Sequence, residues 1–346
     1  MRSFHRVKAA VVATAAWVLY ATGILYLLVA RRLKDRAVVL MYHRVIAPDE
    51  MAATFSHPGI VVAAETFDEH LRLLRRYFHV LSIEEFASRM RNGGTMPSRS
   101  CLITFDDGWS DNYSRAFPLL RKHGLSAVVF LPVDYIGSGK RFWQETLTRA
   151  LLRAVRNGGS PSCRRLLEQV GLHEPYPKPD DQGKLQLREM VGRLKQASPA
   201  MRDEIIRQAS AVLAEIEDTV GDVDTFLSWE QVREMAAGGI AFGSHAASHE
   251  LLNRLPIDAV REEVASSKRD IEAMLGRPVI AFSYPNGDHD ATTCRAVAAE
   301  GYHVAFTTES GTVGHGDDCL RLRRVNVHQG AASSGPLLMA RIAGVL

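Results

Sequence analysis

The chain has 346 residues, 46% of them hydrophobic and 23% charged, with a net charge of +3 at pH 7. That length and apolar fraction suffice for a large buried core, arranged as one barrel or two smaller domains. A balance so near neutrality excludes classes that depend on a dense basic surface, and the sequence carries no Gly-rich phosphate loop, basic-aromatic platform or internal repeat.

Residues 9–30 form an uncharged stretch, preceded by Arg2, Arg6 and Lys8 and followed by Arg31, Arg32, Lys34 and Arg36. The stretch is long enough to span a hydrocarbon core as a helix. It is longer than the apolar region of a secretory signal, and "LLVARRL" offers no small-x-small cleavage site. Residues 1–36 are therefore expected to be a retained single-pass transmembrane anchor with its flanks, and residues 37–346 the domain it carries. Three cations before the stretch and four after it leave the orientation open by charge alone.

The next signals are strands. "AVVLMYHRV" (37–45) reads as the first, with Val39, Met41 and His43 on one face and His43 at its C-terminal end; "HVLSIEEF" (79–86) suggests a short strand and then a helix. In "LITFDDGWSDN" (102–112), Leu102, Ile103 and Phe105 form a short buried strand, which puts Asp106 and Asp107 at its C-terminal mouth. Asp-Asp-Gly is also ordinary turn chemistry, so the pair does not decide by itself.

"LSAVVFLPVDY" (125–135) supplies a further strand, after which strand signals lapse between Lys140 and Ser228. There, "WQETLTRALLRAV" and "MRDEIIRQASAVLAEI" have helical apolar spacing around the Pro-rich "HEPYPKPDDQG", which predicts a helical insertion over about 140–228. Later strands are "VIAFSYPNG" and "HVAFTTES", and residues 257–275 read as a helix stopped by Gly276 and Pro278.

A second polar cluster, "IAFGSHAASH" (240–249), again follows a short apolar stretch. His245 and His249, four residues apart, meet on one face of a turn or helix and can grip one metal ion. With one carboxylate they make a three-ligand set with an open position, the arrangement of a hydrolytic zinc, and the other carboxylate is left to act as a base.

"TFDDG" (104–108) and "HAASH" (245–249) resemble the first two motifs of the NodB-homology polysaccharide deacetylases, over roughly residues 37–328. The resemblance implies an α/β fold, a distorted parallel (β/α) barrel of seven to eight strands, and metal-assisted hydrolysis of N-acetyl groups on amino sugars of a polysaccharide or glycan. It makes Asp106 the general base and Asp107, His245 and His249 the ligands of a divalent metal, here expected to be zinc. A polymer-modifying enzyme meets its substrate during or after export, so the barrel is expected outside the cytoplasm on the cell (inner) membrane. Two other readings remain, a deacylase of a lipid-linked sugar and a carbohydrate-binding pseudoenzyme.

The sequence departs from the family pattern at two places. Ala246 stands where Ser or Thr usually follows the first His, and Ser283 stands where an Arg that pairs with the base is usual. The stretch "AFSYPNGDHD" (281–290) looks like the family's "YPNG" variant, and Tyr284 and Pro285 are expected at the substrate, with backbone N–H groups near Tyr284 at the oxyanion; His43, from its strand end, either lines the same site or is a hydrogen-bonded core histidine.

Strand alternation in "LRLRRVNVHQ" (320–329) offers a replacement for the arginine. Leu322, Arg324, Asn326 and His328 share one face, and Arg323, Val325 and Val327 the other. The valines suit a helix-covered exterior, so Arg324 is expected to reach the Asp pair. His328 is the first candidate to protonate the leaving amine and His43 the second. Cys101, Cys163, Cys294 and Cys319 lack metal-ligand spacing, and a Cys294–Cys319 bridge is left open.

Overall fold

The computed structural model describes residues 2–52, 54–156, 160–173, 181–194, 199–215 and 224–346. The apolar runs become β1 (Arg36–Tyr42), β2 (Arg44–Ile46), β3 (Val61–Ala63), β4 (His79–Val80), β5 (Ser100–Phe105), β6 (Val128–Leu131), β7 (Ala241–Ser244), β8 (Ala281–Ser283), β9 (Val304–Ser310), β10 (Thr312–Gly314) and β11 (Leu322–Asn326). Seven of them pair in parallel in the order β1, β11, β9, β8, β7, β6, β5, and β5 pairs back onto β1 to close the ring. β4 extends the sheet beside β5, β10 lies antiparallel on β1, and β2 and β3 form a separate small sheet. The architecture is thus the expected parallel barrel, with seven strands in the wall.

Alternation along the strands separates two cores. Val39, Leu102, Phe130, Phe306 and Leu322 belong to one buried cluster. Their neighbours Leu40, Ile103, Val129, Ala305 and Val325 belong to another, which also takes in helix residues such as Val264 and Leu338. The first cluster is the barrel interior. It receives Ile83, Phe86, Ala87 and Met90 from the helix Ile83–Asn92, which starts on an N-cap Ser82 whose Oγ accepts the Glu85 N–H at 3.2 Å. The Phe86 and Phe306 rings lie 5.9 Å apart. This helix follows β4 and precedes β5, so it stoppers the end where the strands begin and leaves the other end for the polar residues. Helix Ile257–Leu275 ends as anticipated, at Gly276 with φ 64°.

The N-terminal stretch differs from the expectation of one straight transmembrane helix. It forms two helices, Arg2–Ala21 and Ile24–Arg32, bent by 85° at a break where Gly23 takes φ 77°. Leu25, Val29 and Leu33 are fully buried in the outer core, and both helices pack on the helix Gly335–Ala343. Among the described residues no single helix is long and apolar enough to cross a membrane. The physical reason is local: glycine adopts the left-handed conformation without a Cβ penalty and breaks the stretch, and only the bent pair taken together has the length and composition of a span.

The insertion is a unit of its own, comprising Ala52–His57 and Lys140–Thr225. Helices Trp143–Arg156, Pro161–Gln169, Asp181–Leu194 and Pro199–Glu215 bury Leu147, Leu151, Leu166, Leu187, Ile205 and Val212 together. The distant segment 52–57 joins them because Asp224 accepts from Thr54 Oγ1 (2.7 Å) and Phe55 N–H (2.8 Å), and Ser56 Oγ donates to Glu145 (2.7 Å). Most of the Pro-rich segment, 174–180, lies outside the described residues. All four cysteines are free thiols, so Cys294 and Cys319 form no bridge.

Candidate active site

Asp106 continues the ladder of β5, donating its N–H to the Tyr42 carbonyl at 3.0 Å, so its side chain follows Leu102 and Thr104 into the barrel. The chain then turns sharply through Asp107 (φ 74°) and Gly108 (φ 65°). A Cβ on Gly108 would lie 2.9 Å from the Leu131 side chain and 3.1 Å from that of Ile136, which explains the glycine after the acid pair.

The turn aims Asp107 at the two histidines. Its Oδ1 lies 3.3 Å from His249 Nε2 and 3.5 Å from His245 Nε2, and the three ligand atoms all fall within 4.8 Å of one another. Trp109 Nε1 donates to the other oxygen, Oδ2, at 3.1 Å and fixes the carboxylate. His245 Nδ1 donates to the Ser283 carbonyl at 2.7 Å, which leaves the Nε2 lone pair of the neutral ring facing Asp107. Burial raises the pKa of Asp107, but the hydrogen bonds that His245 and His249 donate in their protonated forms outweigh it and hold the carboxyl well below its usual range. At His245, burial lowers the pKa and Asp107 and Asp106 raise it, with a net upward shift. A buried site that draws positive charge, with one carboxylate and oriented imidazoles, fits a divalent cation of borderline softness.

The histidine loop is strained, with φ 62° at Ala246 and φ 59° at His249. Ala246 has no hydroxyl to brace it. Ser244 Oγ accepts the Ala246 N–H instead (3.1 Å), and Glu263, from the helix Ile257–Leu275, accepts from Ala247 N–H (2.9 Å), Ser248 N–H (2.8 Å) and Ser248 Oγ (2.6 Å). Glu263→Gln removes an acceptor from this set and should weaken metal retention about 10–100-fold, the usual cost of losing an outer-shell partner. Titration with a competing chelator measures it, and an unchanged affinity would exclude Glu263 from shaping the loop.

Arg324 comes from β11, separated from the strand of Asp106 by β1 alone. Its Nη1 and Nη2 donate to Asp106 Oδ1 (2.8 Å) and Oδ2 (2.6 Å), and both side chains are almost wholly buried. The guanidinium is fixed further by the Thr307 carbonyl, Thr104 Oγ1 and Ser283 Oγ. Ser283 Oγ also donates to Asp106 Oδ2 at 3.3 Å. Burial raises the pKa of Asp106, whereas Arg324 and His245 lower it, and the net shift is downward. Arg323, on the opposite face, points out to Glu309 at 3.6 Å.

His43 also lies in the electrostatic field of Asp107 and Asp106; burial outweighs their attraction and lowers its pKa. Its Nδ1 is buried with no hydrogen-bond partner. The loop that carries it is held by Asn112 Nδ2 on the His43 carbonyl (2.8 Å), and by Asp111, which accepts from Arg44 Nε and Val45 N–H at 2.8 Å each. The Arg44 guanidinium covers the Trp109 ring at 4.4 Å.

Tyr284, Pro285, His328 and Asn326 are the remaining expected positions. Tyr284 is buried in the outer core, its hydroxyl donates to the Leu320 carbonyl at 3.1 Å and its N–H to the Phe306 carbonyl at 3.0 Å, so neither is offered to a substrate or an oxyanion. The cause is alternation: Ser283 faces inward and Tyr284 therefore faces out. Pro285 is buried at the start of a short 3-10 turn, Pro285–Gly287. Past β11, Val327 N–H bonds the Met41 carbonyl and Gln329 N–H the Val61 carbonyl, so His328 sits half-buried in a turn leading toward β3. Asn326 Nδ2 is engaged by the Gly59 carbonyl.

Comparison with known proteins agrees with this geometry. A family model for polysaccharide deacetylase matches residues 93–161 and 190–305. YxkH of Bacillus subtilis strain 168, grouped with the polysaccharide deacetylases, is 24% identical over 297 residues, covering 86% of this chain and 73% of that protein. The poly-beta-1,6-N-acetyl-D-glucosamine N-deacetylase of Staphylococcus epidermidis is 30% identical over 113 residues, 30% of this chain and 39% of its own length. In fold, the chain is similar to the deacetylase PplD of Streptococcus pyogenes (TM-score 0.58, 19% identity, 89% of this chain and 99% of the other) and to IcaB of Ammonifex degensii (0.57, 20%, 89% and 97%). With its acid pair and its histidine loop falling within the matched residues, the chain belongs to the polysaccharide deacetylase family.

Proposed function

We propose that the chain removes N-acetyl groups from amino sugars of a polysaccharide or glycan, with a divalent metal, zinc, held by Asp107, His245 and His249. The observation that carries this reading is the pairing of two adjacent carboxylates with opposite duties: Asp107 faces two imidazoles, and Asp106 faces an arginine. The similarity to the Staphylococcus epidermidis enzyme supports an N-acetylated amino sugar as substrate.

When bound, the ion supplies Lewis acidity toward a carbonyl oxygen and lowers the pKa of water. The chain's residues supply the proton chemistry. Asp106, kept ionised by Arg324, takes the proton of the attacking water. Release of acetate leaves an amine that needs a proton, and His43, neutral at rest because burial lowers its basicity, relays to it the proton that Asp106 has taken. His43 is a candidate for this step because it lies in the field of both carboxylates, and His328 is the other.

The test is mass spectrometry of products from a panel of N-acetylated glycans, seeking the loss of acetyl mass. His245→Ala and His249→Ala should each lower metal content and activity together. Full metal occupancy in the double variant would refute the ligand assignment, and a metal-loaded protein that deacetylates nothing would favour the carbohydrate-binding alternative. We further infer that the N-terminal helices attach the barrel to a membrane, supported by the exposed Val11, Trp17, Val18 and Leu27.

A further inference from the structure

The bend between the two N-terminal helices opens a cleft of about 550 Å³, lined by Gly23, Tyr20, Tyr26, Tyr77, Arg76 and Arg99 among others. Its chemistry is unlike that of the helix surface around it. The Arg99 guanidinium stacks over the Tyr26 ring at 4.7 Å and that of Arg76 over Tyr77 at 5.2 Å, while Tyr77 meets Tyr20 and Tyr26 edge-on at 6.5 and 5.9 Å. Neither arginine is in an ion pair among the described residues. Arg99 is half-buried, and its Nε makes no hydrogen bond within the chain. Arg99 also holds a left-handed backbone (φ 59°), stabilised where its carbonyl accepts the His79 N–H at 3.0 Å.

Around the cleft the helices expose large apolar side chains: Trp17 is 63% exposed, Leu27 67% and Ile24 41%. An apolar surface interrupted by two guanidiniums outside any ion pair among the described residues and by a cluster of tyrosines is complementary to one kind of occupant, an acyl chain with an anionic phosphate at its head. Aromatic rings of mixed polarity suit the same interfacial depth.

We propose that this cleft binds the phosphate headgroup of an anionic membrane lipid, so that the bent helix pair seats on the bilayer with its apolar side chains in the acyl region and Arg76 and Arg99 on the phosphate. The proposal rests on the membrane attachment inferred above and is independent of the deacetylase reading. It converts a generic hydrophobic anchor into a lipid-selective one.

The test is co-sedimentation of the full-length chain, diluted from detergent, with vesicles of phosphatidylcholine alone or of phosphatidylcholine containing phosphatidic acid. Wild type should bind the anionic vesicles more tightly. Arg99→Gln and Arg76→Gln should each loosen that binding about fivefold and leave binding to phosphatidylcholine unchanged. Arg76 is exposed, so its variant remains informative if Arg99→Gln proves unstable in a thermal melt. Arg75→Gln, an exposed neighbour outside the cleft lining, should have a smaller effect; an equal effect would show diffuse electrostatics and overturn the site. Equal binding of wild type to both vesicles, insensitive to either variant, would overturn the cleft while sparing the attachment. Failure to bind either vesicle would overturn both. Inorganic phosphate that abolished the arginine-dependent binding at matched phosphate concentration would make this a site for free phosphate and sink the lipid assignment.

Discussion

Asp106→Asn should lower turnover on an N-acetylated glycan by about 10²–10⁴-fold while metal content stays at the wild-type level. The amide cannot take a proton from water, and Asp106 is not among the clustered ligand atoms, so the loss falls on the base alone. Asp107→Asn should lose metal as well as rate, because it weakens the carboxylate that faces both imidazoles. Stability must be separated from chemistry. Asparagine leaves the fully buried Arg324 without its counter-charge, and breaking a buried pair this way commonly costs about 3–5 kcal/mol. The double variant Asp106→Asn with Arg324→Met removes the stranded charge and should recover thermal stability without recovering turnover. If Asp107→Asn kept its metal and Asp106→Asn lost it, the two roles would have to be exchanged.

The positions that sequence made legible are those governed by short periodicities. A period of two along β11 is enough to put Arg324 inside and Arg323 outside, and the same period along β5 carries Asp106 inward after Thr104. Gly276 marks its helix end because left-handed backbone is cheap only for glycine. Tyr284 was open to the same argument. Counting from Phe282, alternation sends it outward with its neighbour two residues back, and the likeness of "YPNG" to a family motif drew it to the substrate instead.

What sequence did not disclose depends on contacts between distant segments or on the geometry of single residues. Glu263 carries no local sign that it braces the histidine loop from the helix below, although its three accepted hydrogen bonds do what a hydroxyl at position 246 would otherwise help to do. Arg44 and Asp111 pair between segments far apart in the chain, which no local pattern announces. The N-terminal stretch is uniform in composition, so the bend at Gly23 is invisible to hydropathy. It arises from the free energy of burying Leu25 and Val29 against the barrel, which a count of apolar residues does not contain.

Ser283 occupies the family position of the arginine that pairs with the base, and the geometry assigns that duty to Arg324. Arg324→Met should therefore move the acidic limb of the pH dependence of kcat/KM to higher pH. The sign follows from the cause: burial alone raises the pKa of Asp106, and Arg324 is the chief influence holding it below its ordinary value. Without the guanidinium the carboxyl must be brought to a higher pH before it ionises, and only the ionised form is a base. Ser283 Oγ still donates to Asp106 Oδ2, so the limb moves without the base losing its orientation altogether. Methionine fills much of the arginine stem's volume, which limits the packing cost, and metal content should be unchanged because Arg324 donates to Asp106 and not to Asp107. Arg324→Lys keeps a charge but not the two parallel donors and should give a smaller displacement. Arg323→Met, whose side chain is more than half exposed beside Glu309, should leave the profile where it was. A metal-loaded, folded Arg324→Met enzyme with an unmoved acidic limb would remove Arg324 from the tuning of the base.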